Sequence, residues 1–140
     1  MSKAKAIGTA AETAVVKYFT EVMGWPDVAR VVLHGKDDEG DIHVGPTNNP
    51  RIIFEVKSRK SECTYKEVEE FMKELDDECK NTWGEDYMLH EPYRGYLIIK
   101  RPGKGKVEDW WLCWKPISEV ESSEVTVRCR LGDYFKPEVR

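Results

Sequence analysis

Gly40-Asp41-Ile42-His43-Val44 and Arg51-Ile52-Ile53-Phe54-Glu55-Val56-Lys57-Ser58 are the two runs on which the reading of this chain turns. Residues 51–58 are near-continuous in apolar side chains, as expected of a central strand covered on both faces. Residues 41–44 read as a second short strand. The loop between them, Gly45-Pro46-Thr47-Asn48-Asn49-Pro50, is turn-forming by composition. Asp41, Glu55 and Lys57 stand in or beside these strands. An unpaired buried charge is costly, so the three groups must compensate one another or hold something.

Outward from these strands, residues 28–34 read as a further strand and residues 35–40 as a charged turn. Residues 9–23 read as a helix. Thr9-x-x-Glu12 fits a capping box, Gly24 fits a stop, and Val15, Val16, Phe19, Val22 and Met23 form the apolar stripe. Glu12 falls on that stripe. It is either a capping residue or an inward-pointing carboxylate, and the neighbouring charged strands favour the second. On the other side, Thr64-x-x-Glu67 opens a helix to about residue 80, with Val68, Phe71, Met72, Leu75 and Cys79 as its core face. The acids Glu69, Glu70, Glu74, Asp76, Asp77 and Glu78 read as its solvated face. Residues 81–93 look irregular. Residues 95–100 and 107–114 read as strands joined by a turn, and 125–129 as a last short strand. In 107–114, Trp110, Leu112 and Trp114 share one face, with Trp111 and Cys113 on the other.

The order is helix, three strands, helix, then two or three strands. That is an α/β class chain, a mixed central β-sheet flanked by helices. At 140 residues it is one domain over 1–140, able to bury roughly two-thirds of its unfolded surface. The core spans about 7–130, and the tail 131–140 reads as flexible.

Hydrophobic residues make up 40% and charged residues 34%, which excludes a disordered chain. No run approaches the ~18 apolar residues of a membrane span, so no membrane partner is expected. The N-terminus shows no apolar stretch behind its charges, which points to the cytoplasm of a bacterium or a phage-infected cell. The four cysteines, Cys63, Cys79, Cys113 and Cys129, form no close pair and read as free thiols. Net charge is −4, which taken alone argues against a nucleic-acid partner. The charges are unevenly spread, however. Arg59 and Lys60 follow the central strand. Lys100, Arg101, Lys104 and Lys106 crowd the turn before residue 107. These six are the candidate phosphate contacts; the simpler reading of the second group is a solvated hairpin tip.

Strand alternation puts Glu55 and Lys57 on one face, about 7 Å apart along the strand. If the strand of Asp41 lies beside them, two carboxylates and an ammonium surround one volume. Hard oxygen ligands of that kind suit Mg²⁺, or Mn²⁺ as substitute. Such an ion polarises a phosphoryl oxygen and activates water, and the lysine stabilises developing charge. An ion-paired cluster that merely braces the sheet is the competing reading, although buried pairs rarely stabilise on balance. His43, on the face of Asp41, is a further candidate, or simply a hydrogen-bonded strand histidine. Trp110, Trp111 and Trp114 could stack on bases; core or interface packing is the simpler reading.

Asp41 followed by thirteen residues and then Glu55-Val56-Lys57 resembles the PD-(D/E)xK nuclease superfamily, with its restriction-endonuclease-like fold. Gly8-x-x-x-Glu12 and Gly35-x-x-x-x-Gly40-Asp41 look like its archaeal and phage-type Holliday junction resolvases. The resemblance covers about residues 7–114. One departure is Gly40 in place of a proline before Asp41. The resemblance implies that Asp41, Glu55 and the Val56 carbonyl ligate Mg²⁺. It implies that Lys57 acts on the attacking water and that Glu12 holds a metal-bound water or a second metal. Ser58 is a further candidate for positioning substrate. The implied reaction is hydrolysis of phosphodiester bonds in branched DNA by a homodimer, leaving 5′-phosphate ends. Alternatives are a nuclease of the same fold acting on single strands, flaps or ends, and a DNA-binding or assembly module without turnover.

Overall fold

The computed structural model describes residues 3–31, 40–90, 93–116 and 125–137, with side chains from residue 9 onward. Its centre is the strand expected from residues 51–58, β3 (Ile52–Ser58). Ile52, Phe54 and Val56 pack on one side and Ile53 on the other, which is why apolar content is nearly continuous along it. β3 pairs antiparallel with β2 (Ile42–Val44), and β2 with β1 (Val28–Arg30). On its other edge β3 runs parallel to β4 (Arg94–Lys100), so that Ser58 stands opposite Lys100. β5 (Trp111–Trp114) and β6 (Val127–Arg130) complete the sheet in antiparallel steps. Among the described residues the sheet has six strands in the order β1-β2-β3-β4-β5-β6. This is the mixed sheet flanked by helices that the sequence predicts.

Each face of the sheet carries a core. On one, α1 (Lys3–Lys17) and the π-helical turn Tyr18–Val22 set Val15 and Phe19 against Phe54, Tyr96, Ile98, Trp110 and Leu112. On the other, α2 (Tyr65–Trp83) lays Val68, Phe71, Met72, Leu75 and Cys79 over Ile53, Leu97, Ile99 and Cys113. α2 starts as expected. The Thr64 side chain accepts from Glu67 N–H, and the Glu67 carboxylate accepts from Thr64 N–H. α2 is also the crossover that a parallel pair requires.

Several expectations need correction. α1 begins at Lys3, so Thr9 is interior and caps nothing. The apolar stripe does not continue as a regular helix: a π-turn shifts its phase, and Val22 is left 52% exposed. α2 continues to Trp83, past the expected end near residue 80. The strand expected from residue 107 begins at Trp111, after the 3₁₀ turn Val107–Asp109. Part of the tail expected to be flexible, up to Phe135, is packed against the body. β6 leads into α3 (Leu131–Tyr134), Leu131 is fully buried, and Phe135 stacks edge-on against Phe19, Trp25, Phe54 and Tyr96. Residues 32–34 of the first expected strand, residues 35–39 of the turn, and residues 138–140 lie outside the described residues. Among the described residues no helix is long and apolar enough to cross a membrane.

Candidate active site

β2 begins at Ile42, opposite Phe54, while β3 runs on to Ser58, and the site forms in that step. Asp41 N–H still donates to the Phe54 carbonyl at 3.2 Å. The next ladder position is taken by a side chain, with Val56 N–H donating to Asp41 Oδ2 at 2.8 Å. The Asp41 carboxylate is thereby fixed against β3 between Glu55 and Lys57. Gly40 makes the approach possible. Its φ of 94° is a left-handed value that proline's ring forbids, and a Cβ there would meet Ile53 Cγ2 at 2.5 Å. A glycine before Asp41 is thus favoured by this backbone.

Glu55 projects beneath α2 and is only 5% exposed. Its Oε1 lies 3.6 Å from Lys57 Nζ. Its buried Oε2 has no hydrogen-bond partner among the described residues. Burial, then contacts with Glu78 and Asp41, drive its pKa far above the carboxylate range. With no metal bound, these contacts favour the neutral form of Glu55 even beside Lys57. Glu12 approaches from α1 on the opposite side. Burial and the Asp41 charge raise its pKa, while Arg30, at 3.4 Å, partly offsets them.

Lys57 Nζ lies 2.8 Å from Glu74 Oε2 and 5.0 Å from the centre of the Phe71 ring. Burial alone would lower its pKa. The Glu74 contact, followed by the Glu55 charge, outweighs burial and holds it above the ordinary lysine value. Held by Glu74, Lys57 is placed to orient a water or to neutralise developing charge.

The four residues singled out by sequence, Glu12, Asp41, Glu55 and Lys57, do converge, from α1, the start of β2, and β3. Two more were missed. Glu74 and Glu78 belong to the acid run expected to be solvated: Glu78 is 3% exposed, whereas Glu74 is exposed as expected but reaches back to hold Lys57 at 2.8 Å. The signal was present in the spacing. Both lie on the helical face of Phe71, at i+3 and i+7.

Other candidates lie elsewhere. His43 stands in register with Ala29 and Ile53 and lines a cavity of about 390 Å³ with Arg30, Asn48 and Thr82. Ser58 is at the end of β3, half-buried. Trp110 is a core residue donating from Nε1 to the Lys104 carbonyl at 2.7 Å, and Trp114 packs on Tyr96 and Tyr134. The expected cationic patch is divided by the sheet. Lys100 reaches over Trp110 on the α1 face, whereas Arg59 and Arg101 lie on the α2 face beside Phe71 and Trp111. Lys60, Lys104 and Lys106 are exposed. All four cysteines are free thiols, and burial pushes Cys113 up to about 12.

The donor set can be tested for an ion. Among the described residues no group of three or more His, Cys, Asp or Glu side chains is arranged to hold one. Mg²⁺, however, commonly takes only one or two protein carboxylates and keeps several waters. The partnerless Glu55 Oε2 beside the fixed Asp41 carboxylate fits that requirement.

Comparison of the chain with protein-family models, with curated proteins and with solved structures finds no match.

Proposed function

We propose that this protein is a divalent-metal-dependent endonuclease of the PD-(D/E)xK type that hydrolyses DNA phosphodiester bonds at branched structures. The observation that carries this reading is the buried Glu55 carboxyl, with Oε1 3.6 Å from the Lys57 ammonium, in contact with the Asp41 carboxylate that Val56 N–H anchors. A structural ion pair would satisfy its buried oxygens. A site kept for a cation leaves one open. In this reading Asp41 and Glu55 hold Mg²⁺, with the Val56 carbonyl, and Glu12 holds a water at its edge. When bound, the ion would polarise the phosphoryl oxygen and activate a water.

The chain's own residues supply the rest. Lys57, fixed by Glu74, presents positive charge where charge develops on the phosphate. Asp41, tied to Val56 N–H, cannot swing away. Arg30 holds Glu12 toward Asp41. The reaction leaves 5′-phosphate ends. A homodimer matches the need to cut two strands of a four-way junction symmetrically. A second reading, a DNA-binding module without turnover, is favoured by the absence of a third metal-holding side chain among the described residues.

Asp41→Ala separates the two. It should abolish Mg²⁺-dependent nicking of a labelled four-way junction while junction binding persists. Nicking by Asp41→Ala at the wild-type rate would refute the assignment.

A further inference from the structure

Two aromatic rings on the α2 face of the sheet each carry two cations. Lys57 Nζ and the Arg59 guanidinium both lie 5.0 Å from the centre of the Phe71 ring. The guanidiniums of Arg101 and Arg128 lie 4.1 and 4.4 Å from the centre of the Trp111 ring. Phe71 belongs to the core beneath α2, and Trp111 packs against that same core. The four cations therefore share one face of a chain whose net charge is −4, and one of them is the lysine beside Glu55.

Their partners differ in a telling way. Arg101 is tied down, with its Nε 3.9 Å from Glu62 and its Nη1 donating to the Asp109 carbonyl at 3.2 Å. Glu62 also accepts from Trp111 Nε1 at 3.4 Å, so the ring that carries both guanidiniums is held in place. Among the described residues no carboxylate forms an ion pair with Arg59 or Arg128. Glu67 feels the charge of Arg59 without pairing with it. A guanidinium held over an aromatic ring loses less freedom when it binds an oxyanion than a free one. Arg128 stands on β6, the last strand of the sheet among the described residues.

We propose that Lys57, Arg59, Arg101 and Arg128, ordered by Phe71 and Trp111, form a track for the sugar-phosphate backbone of a nucleic-acid strand, leading from β6 to the Glu55 site. The proposal rests on the nuclease reading for its direction and adds Trp111 and Arg128 to it. A nucleic-acid backbone is favoured over an acidic polypeptide because the cations follow the strand order from β6 through β4 to β3 and three of them, Arg59, Arg101 and Arg128, carry planar forks suited to phosphate. Lys104 and Lys106, at the hairpin tip, stand outside the track.

The test is fluorescence anisotropy of labelled single-stranded, duplex and four-way-junction DNA without divalent ions, over a range of salt, using the full chain. Arg59→Ala and Arg128→Ala should each weaken binding by roughly threefold to tenfold and reduce the salt slope by about 1. Lys104→Ala with Lys106→Ala should change neither. Arg128→Lys should recover the slope but only part of the affinity. Thermal melting of each variant shows whether it is folded. If Arg59→Ala and Arg128→Ala are folded and bind like wild type, the track is refuted. It is equally refuted if an acidic polypeptide competes as well as DNA, or if wild-type protein binds no DNA. Parallel Mg²⁺ nicking assays report on the nuclease reading separately. Binding that follows this pattern without nicking supports the track and overturns only the cleavage reading. Nicking with unchanged binding overturns only the track.

Discussion

Glu55 sits 5% exposed, next to Asp41 and Glu78. Its raised pKa has a consequence for stability whose sign is fixed. Below about pH 4.5 the carboxyl is neutral in both folded and unfolded chains, so nothing is lost. As pH rises past the unfolded value, only the unfolded chain ionises, and the folded state loses up to ~1.4 kcal/mol per pH unit for this one proton. Without divalent ions, Glu55→Gln should therefore melt higher than wild type at pH 8. It should also lose any Mg²⁺-induced rise in melting temperature; calorimetry with and without Mg²⁺ measures both. Glu74 makes a separate case. Glu74→Gln should lower the cleavage rate by roughly 10- to 100-fold, as outer-sphere changes commonly do, with DNA affinity unchanged and partial recovery in Glu74→Asp. A full rate in Glu74→Gln would mean that Lys57 needs no clasp. The charged strand residues were legible because strand parity alone puts Glu55 and Lys57 together. Glu74 and Glu78 were not, because an acid run on a helix usually faces water, and only their spacing from Phe71 marks them.

At the scale of elements, local signals gave β3, β4 and the Thr64 cap of α2 nearly to the residue, because alternation and capping are local chemistry. The π-turn after Lys17, the 3₁₀ turn before β5 and the ordered tail depend on tertiary packing that no window of sequence contains. Phe135 shows this most clearly. Its segment is polar apart from a few aromatics, yet it enters a ring cluster with Phe19, Trp25, Phe54 and Tyr96. Phe135→Ala should cost about 2–4 kcal/mol in urea unfolding. A loss below ~0.5 kcal/mol would show that the tail contributes little.

For the molecule as a whole, the sheet is the organising partition. It separates two cores, divides the cations that the sequence grouped into one patch, and leaves Arg59, Arg101 and Arg128 on the side of Lys57. Among the described residues, groups from α1, β3 and α2 meet at the step where β2 begins. In the nuclease reading, that geometry would let a chain of net charge −4 offer a local cationic face to DNA. The most direct measurement is incubation of wild-type protein with end-labelled four-way-junction, flap, duplex and single-stranded DNA, with and without Mg²⁺, alongside Glu55→Ala. The account predicts paired nicks in the junction, only with Mg²⁺ and only in wild type, bearing 5′-phosphate ends. Intact DNA in every lane, or equal cutting by Glu55→Ala, would contradict it.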